Sequence, residues 1–178
     1  MSLKCSRCGR LIETLPIQCG YNITVNNETN QWECYIENCG TISLNEFICE
    51  NCCINKNIMQ VTKAIEQLSL ENHEFNEELK VFKKQIVQTK LINSDFKYWV
   101  EFGEGEFKCG KGEVNGTTIL ITGPQVTMNQ ILKGQLDPFN EFLIGNLKIE
   151  GDIQYAVVYF DLIKLALEIH TEMGGISI

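Results

Sequence analysis

The stretch Gly134-Gln-Leu-Asp-Pro-Phe-Asn-Glu-Phe-Leu-Ile-Gly-Asn-Leu-Lys-Ile-Glu-Gly-Asp152 decides the fold. Asp137-Pro138 reads as a helix start, with proline at the first helical position, where its missing N–H costs nothing. Leu147–Glu150 has the length of a short strand. Gly151-Asp152 ends it and supplies an N-cap for the next element. That element is a long amphipathic segment, Ile153–Ile169, in which Ile153, Ala156, Val157, Phe160, Ile163 and Leu167 recur at three- and four-residue intervals and form a wide apolar stripe.

Towards the N-terminus, Val126–Lys133 reads as another helix. Before it the pattern has period two. Gln85–Ile92, Phe96–Phe102, Glu106–Gly110 and Thr117–Thr122 are predicted strands. Asn93-Ser94-Asp95, Gly103-Glu104-Gly105 and Asn115-Gly116 are predicted tight turns, so the strands are expected to form successive antiparallel hairpins. Residues 56–69 place Ile58, Val61, Ile65 and Leu68 on one helical face, and 74–83 form a second, shorter helix.

Upstream of residue 54 the texture changes. Eight of the nine cysteines lie between Cys5 and Cys53, and only Cys109 lies beyond. A segment this short cannot bury enough apolar area to fold unaided. Cys5-Ser-Arg-Cys8-Gly9 is a zinc-knuckle pattern: two intervening residues let both thiolates reach one tetrahedral ion, and the glycine allows the tight turn. Cys49-Glu-Asn-Cys52 is a second such pair, just ahead of the first helix. With a hairpin between them (Ile23–Val25 and Gln31–Tyr35), the pattern predicts a zinc ribbon or treble-clef finger. Cys19, Cys34, Cys39 and Cys53 complete a set of eight thiols, enough for one or two zinc ions, and spacing leaves the grouping open. Disulfides and an iron–sulfur cluster are the competing uses. The lack of a ferredoxin-type run and the expected cytoplasmic, reducing setting weigh against both. A closed four-thiolate site does no chemistry, so this module is expected to be structural or to dock a protein partner.

The expected domains are therefore 1–54, a cysteine-rich zinc module; 55–172, an α+β body; and 173–178, a tail. The formal charge is −8. The cysteine-rich segment carries three basic and six acidic residues. Nucleic acid, a polyanion, is thereby disfavoured as a partner. No segment reaches the roughly 20 apolar residues of a membrane helix. No nucleophile–base or paired-carboxylate arrangement is recognisable, so no enzymatic activity is expected.

Gly134, Leu136, Asp137, Pro138, Phe142, Gly145, Leu147, Ile149, Gly151 and Asp152 occur in the order found in the sterol-carrier-protein type two family of lipid-binding domains, which the second part of the chain resembles. The resemblance implies a mostly antiparallel, curved sheet covered by helices around an apolar cavity. It implies a lipid or other hydrophobic ligand, with possible transfer of it. It also implies lining by Met128, Ile131, Leu132, Phe139, Phe142, Leu143, Phe160, Ile163 and Leu167, with Trp99, Ile119 and Ile121 facing the cavity from the sheet. Taken singly, each of these side chains suits a filled core better than a ligand contact, and only the resemblance raises the cavity above that use. With the core so filled, the protein would be an adaptor using the fold for protein contacts.

Overall fold

The computed structural model describes residues 3–5, 7–12, 15–16, 22–26, 31–34, 41–42, 50–92 and 94–172. The chain divides into two compact units, Met1–Cys53 and Ile54–Ile178. Each is described by itself.

In the first unit, β1 (Leu3–Lys4) and β2 (Leu11–Ile12) pair antiparallel, Leu3 opposite Ile12. The Cys5–Arg10 turn closes the hairpin: Cys5 N–H donates to the Arg10 carbonyl and Gly9 N–H to that of Cys5, both at 2.9 Å. Gly9 has φ of 72°, a left-handed conformation that glycine adopts without strain. A second antiparallel sheet has the order β3 (Leu15–Pro16), β4 (Asn22–Asn26), β5 (Gln31–Cys34), β6 (Thr41–Ile42). The expected hairpin is its centre, with Ile23 opposite Cys34. Helix α1 (Glu50–Glu71) starts among the cysteines, earlier than its apolar spacing alone suggests.

In the second unit, α2 (His73–Val81) follows α1. Asn72 caps it, its side chain accepting from Phe75 N–H at 2.9 Å. Five strands, β7 (Gln85–Ile92), β8 (Lys97–Gly103), β9 (Glu106–Lys111), β10 (Ile119–Pro124) and β11 (Lys148–Gly151), form one sheet in the order β11-β10-β7-β8-β9. Helices α3 (Gln125–Leu132), α4 (Pro138–Leu143) and α5 (Ile153–Glu172) complete the unit.

The sheet is mixed, which corrects the expected run of hairpins. β10 does not turn back onto β9; it pairs parallel with β7, Ile119 beside Val87. The reason lies in two neighbouring positions on β7. The buried Gln88 side chain donates to the carbonyls of Tyr98 (2.9 Å) and Gly112 (3.0 Å) and accepts from Val114 N–H (3.0 Å), drawing the 112–118 segment back across the strands. Thr118 then exchanges hydrogen bonds with Ile86 and delivers β10 to the vacant side of β7. The placement suits composition: fully buried Ile119 and Ile121 occupy an interior strand, whereas the edge strand β9 alternates exposed and buried residues.

Register assigns the two faces. Ile119, Val87, Val100 and Cys109 stand in one row across four strands, all buried. The next row, Leu120, Gln88, Trp99 and Gly110, projects from the opposite face, because side chains alternate along a strand. The helices cover the first face: Phe102 on β8 stacks with Tyr159 on α5 at 6.1 Å between ring centroids, and Phe107 on β9 meets Phe75 on α2 at 6.4 Å. The hydroxyls of Thr89, Tyr98 and Tyr159 are also buried, short of hydrogen-bond geometry with any described partner. Burial pushes the Tyr98 phenol up to about 12, opposed only in part by the hydroxyls of Thr89 and Tyr159. The outer edge of β9 is covered by α1. Glu66 accepts from Cys109 N–H (3.2 Å) and Lys63 donates to the Cys109 carbonyl (3.1 Å), so a side-chain pair occupies backbone groups that would otherwise be open to another strand.

Candidate functional site

The Gly134–Asp152 segment builds a groove along α5. Gly134 (φ 68°) ends α3, its N–H donating to the Ile131 carbonyl at 2.9 Å. Asp137 caps α4, its carboxylate accepting from Asn140 N–H at 2.8 Å, with Pro138 behind it. Glu141 turns inward: it is buried, and its carboxylate accepts from the Asn146 amide at 2.7 Å. Asp152 caps α5, accepting from the N–H groups of Gln154 (3.0 Å) and Tyr155 (3.2 Å). Gly151 has φ of 100°, and a Cβ there would sit 2.2 Å from the Thr118 carbonyl oxygen, so only glycine fits where β11 meets β10. These residues are the frame. The apolar side chains between them are the lining.

Two clefts result. One, of about 280 Å³, is lined by Ile131, Leu136, Pro138, Phe139, Phe160, Ile163 and Leu167, with Gln135, Asp137, Asp161 and Lys164 among its polar residues. The other, of about 160 Å³, has apolar lining throughout, including Phe142, Leu143, Ile149, Ile153, Ala156 and Val157. Pro138, Phe139 and Phe160 contribute to the lining of both, so the clefts adjoin.

Seven of the twelve residues named from sequence line these clefts: Ile131, Phe139, Phe142, Leu143, Phe160, Ile163 and Leu167. Ile119, Ile121, Met128 and Leu132 are fully buried in the core and line neither. Trp99 stands on the sheet face opposite the helices, where its ring covers Gly110 so closely that a Cβ there would meet it at 2.6 Å. Its alternation with Tyr98 and Val100 separates it from the groove. Leu136, Pro138, Ile149, Ile153, Ala156 and Val157 line the clefts without having been singled out as lining. Their signal was present, the first three in the Gly134–Asp152 pattern and the rest in the α5 stripe.

The first unit holds a second cluster. The sulfur atoms of Cys5, Cys8 and Cys52 lie within 4.8 Å of one another. Cys5 and Cys8 come from the β1–β2 turn and Cys52 from the first turn of α1. Thiolates bound to one zinc at about 2.3 Å are separated by somewhat under 4 Å, so the donors are of the right type and nearly at the required spacing to hold a metal ion. A helix N-terminus also favours the thiolate form. Cys53, the next residue along α1, is exposed and stands outside the cluster. Cys34 lies on β5. Cys19, Cys39 and Cys49 lie outside the described residues, as does the predicted tail 173–178.

The mixed sheet, its helical cover and the groove along α5 make up an α+β domain. Residues 63–164 match the SCP-2 sterol transfer family, and the chain belongs to that family. No curated protein matches it. Among solved structures, a sterol carrier protein domain from Helicoverpa armigera is 20% identical with a TM-score of 0.48, covering 63% of this chain and 89% of that one. The apo form of sterol carrier protein 2 from Yarrowia lipolytica is 19% identical with a TM-score of 0.48, covering 60% and 89%. A stereoselective inverting sec-alkylsulfatase from Pseudomonas sp. is 15% identical with a TM-score of 0.44; the match covers 49% of this chain and only 14% of that enzyme. Among the described residues, no helix is long and apolar enough to cross a membrane.

Proposed function

We propose that the protein binds a lipid or similar apolar ligand in the groove between α3, α4 and α5, without chemical conversion, and that its cysteine module holds zinc. The observation that carries the first part is a pair of adjoining, mostly apolar clefts along α5 that share Pro138, Phe139 and Phe160. Together they reach the lower end of the roughly 300–1,000 Å³ usual for small-molecule sites. Their form suits a flexible chain that enters along an apolar wall. Ten methylenes buried there would contribute about 8 kcal/mol, enough for micromolar affinity if ordering costs are small. Among the described residues, no nucleophile or acid–base pair adjoins the groove: Asp137 is committed to capping α4, and Lys164 and Asp161 are the remaining charged groups of the larger cleft.

The zinc reading rests on the three gathered thiols. On this reading Cys5, Cys8 and Cys52 are ligands of one ion. The module's role is to hold its own unit together and to present it to a protein partner. Thiol ligation also fits a reducing, cytoplasmic setting.

Solvent extraction of the purified chain and lipid mass spectrometry of the extract test the main claim. Stoichiometric lipid, or saturable displacement of a fluorescent acyl probe at micromolar concentration, is the expected result. A folded protein that carries no lipid and binds no probe overturns it.

A further inference from the structure

The five-stranded sheet has two edges, and they are finished differently. At the β9 edge, Glu66 and Lys63 on α1 already occupy the backbone groups of Cys109. At the other edge, β11 has a strand partner, β10, on one side only, and Lys148, Glu150 and Gly151 are exposed. An uncovered strand edge is a template for another strand. Register puts Ile149 on the helix face, opposite the buried Ile121, and Lys148 and Glu150 on the open face. Beside Ile149 in the all-apolar cleft stand Leu143 and Ile153, which are 78% and 54% exposed.

We propose that β11 pairs antiparallel with β11 of a second copy of this chain, joining the two sheets edge to edge about a two-fold axis at Ile149. The charge order selects this occupant. With the axis at Ile149, Lys148 falls opposite the partner's Glu150, and Glu150 falls opposite the partner's Lys148. Cross-strand neighbours of opposite charge attract, so the run Lys148-Ile149-Glu150 is complementary to its own reverse. Within one chain Lys148 and Glu150 pair with each other at 2.8 Å, their side chains 71% and 51% exposed. So exposed a pair contributes little, and exchanging it across the axis gives up little. On the helix face the same operation brings the two Ile149 residues together and places the exposed Leu143 and Ile153 at the junction, where apolar surface leaves water. The contact is isologous, and it leaves outward only the β9 edges, where α1 stands. It therefore closes at a dimer and does not propagate. The proposal does not depend on lipid binding by the groove.

Sedimentation equilibrium of the full chain under reducing conditions tests this, at physiological salt, which screens the repulsion between two chains of charge −8. Two charge reversals are compared with the parent. Lys148→Glu sets like charges across the axis, and so does Glu150→Lys. Both side chains are exposed and neither lines either cleft of the groove. The parent should form a dimer, and each single variant should dimerise about tenfold more weakly. The two variants mixed in equal amounts should associate with each other as tightly as the parent does, because each supplies the charges the other has lost. A variant that had merely failed to fold could not give that recovery. The double variant Lys148→Glu/Glu150→Lys should likewise recover self-association within one chain. A parent that stays monomeric up to about 1 mM overturns the proposal, whether or not it floats with phosphatidylcholine vesicles. So does a parent dimer that the single reversals leave unweakened, which places the contact elsewhere. Weakening that neither the mixture nor the double variant restores overturns it as well.

Discussion

The two units differ in the length of their described elements. The described strands of Met1–Cys53 are two to five residues long. Those of Ile54–Ile178 run to eight, with helices of up to 20 residues lying within it, and they share one apolar core in which Ile58, Phe75, Phe102, Ile121 and Tyr159 have no exposed surface. The described strands of the first unit contribute few hydrogen bonds, and on the proposed zinc reading that unit draws its stability from a cross-link. The second draws it from area removed from water. Chelation and core chemistry should therefore act on different units of one chain.

The largest effect tests that division. Removing the metal with a strong chelator should cost the cysteine module a stabilisation on the order of 10 kcal/mol and unfold it. The thermal transition of the sterol-carrier domain should hardly move. Two transitions by calorimetry, only one of them sensitive to chelator, is the expected record. A single transition that shifts as a whole would break the comparison.

Alkali should do the reverse. The Tyr98 phenol, raised to about 12 by burial, ionises in the unfolded chain near 10. Between these values the unfolded state has released a proton that the native state still holds. Stability is therefore complete below pH 10 and is lost as pH rises through 12. Tyr159, also raised by burial, acts in the same direction. Denaturant midpoints measured from pH 8 to 12 should fall at the alkaline end, and Tyr98→Phe should flatten the curve. The same slope in both proteins would remove Tyr98 from the account.

A smaller effect isolates the frame of the groove. Asp152→Ala deletes the cap of α5 and should lower the stability of the second unit by about 1 kcal/mol, read as a denaturant midpoint. The metal-dependent transition should stay where it was. A loss several times larger would mean that Asp152 does more than cap.

The Gly134–Asp152 stretch was legible because its residues act locally. Asp137 and Asp152 cap the helices that begin just after them, and Gly134 and Gly151 adopt positive φ, so each reads directly as a turn or a cap. The β10 partner was hidden because it depends on a long-range tie. Nothing in the spacing around Asn115-Gly116 shows that Gln88, some two dozen residues earlier, will hold the 112–118 segment. The face of Trp99 was recoverable in principle: Tyr98 and Val100 flank it, and both cannot share its side of the sheet. Among the lining residues, Ile119 and Ile121 resemble Ile149 and Ile163 in sequence. Only packing separates an isoleucine with no exposed surface from one beside a cleft. The cysteines pointed to a metal site but not to a grouping, because Cys5 and Cys52 meet only through the fold.

The central claim is that an apolar ligand lies along α5, in the groove and not beneath the sheet. Methyl-resolved NMR with a carbon-13-labelled fatty acid tests this directly. Intermolecular NOEs should connect the ligand to the methyl groups of Ile131, Ile163 and Leu167 and not to those of Ile119, which is fully buried. NOEs to Ile119 without any to Ile163 and Leu167, or no NOEs with the protein folded and the ligand in excess, would contradict it.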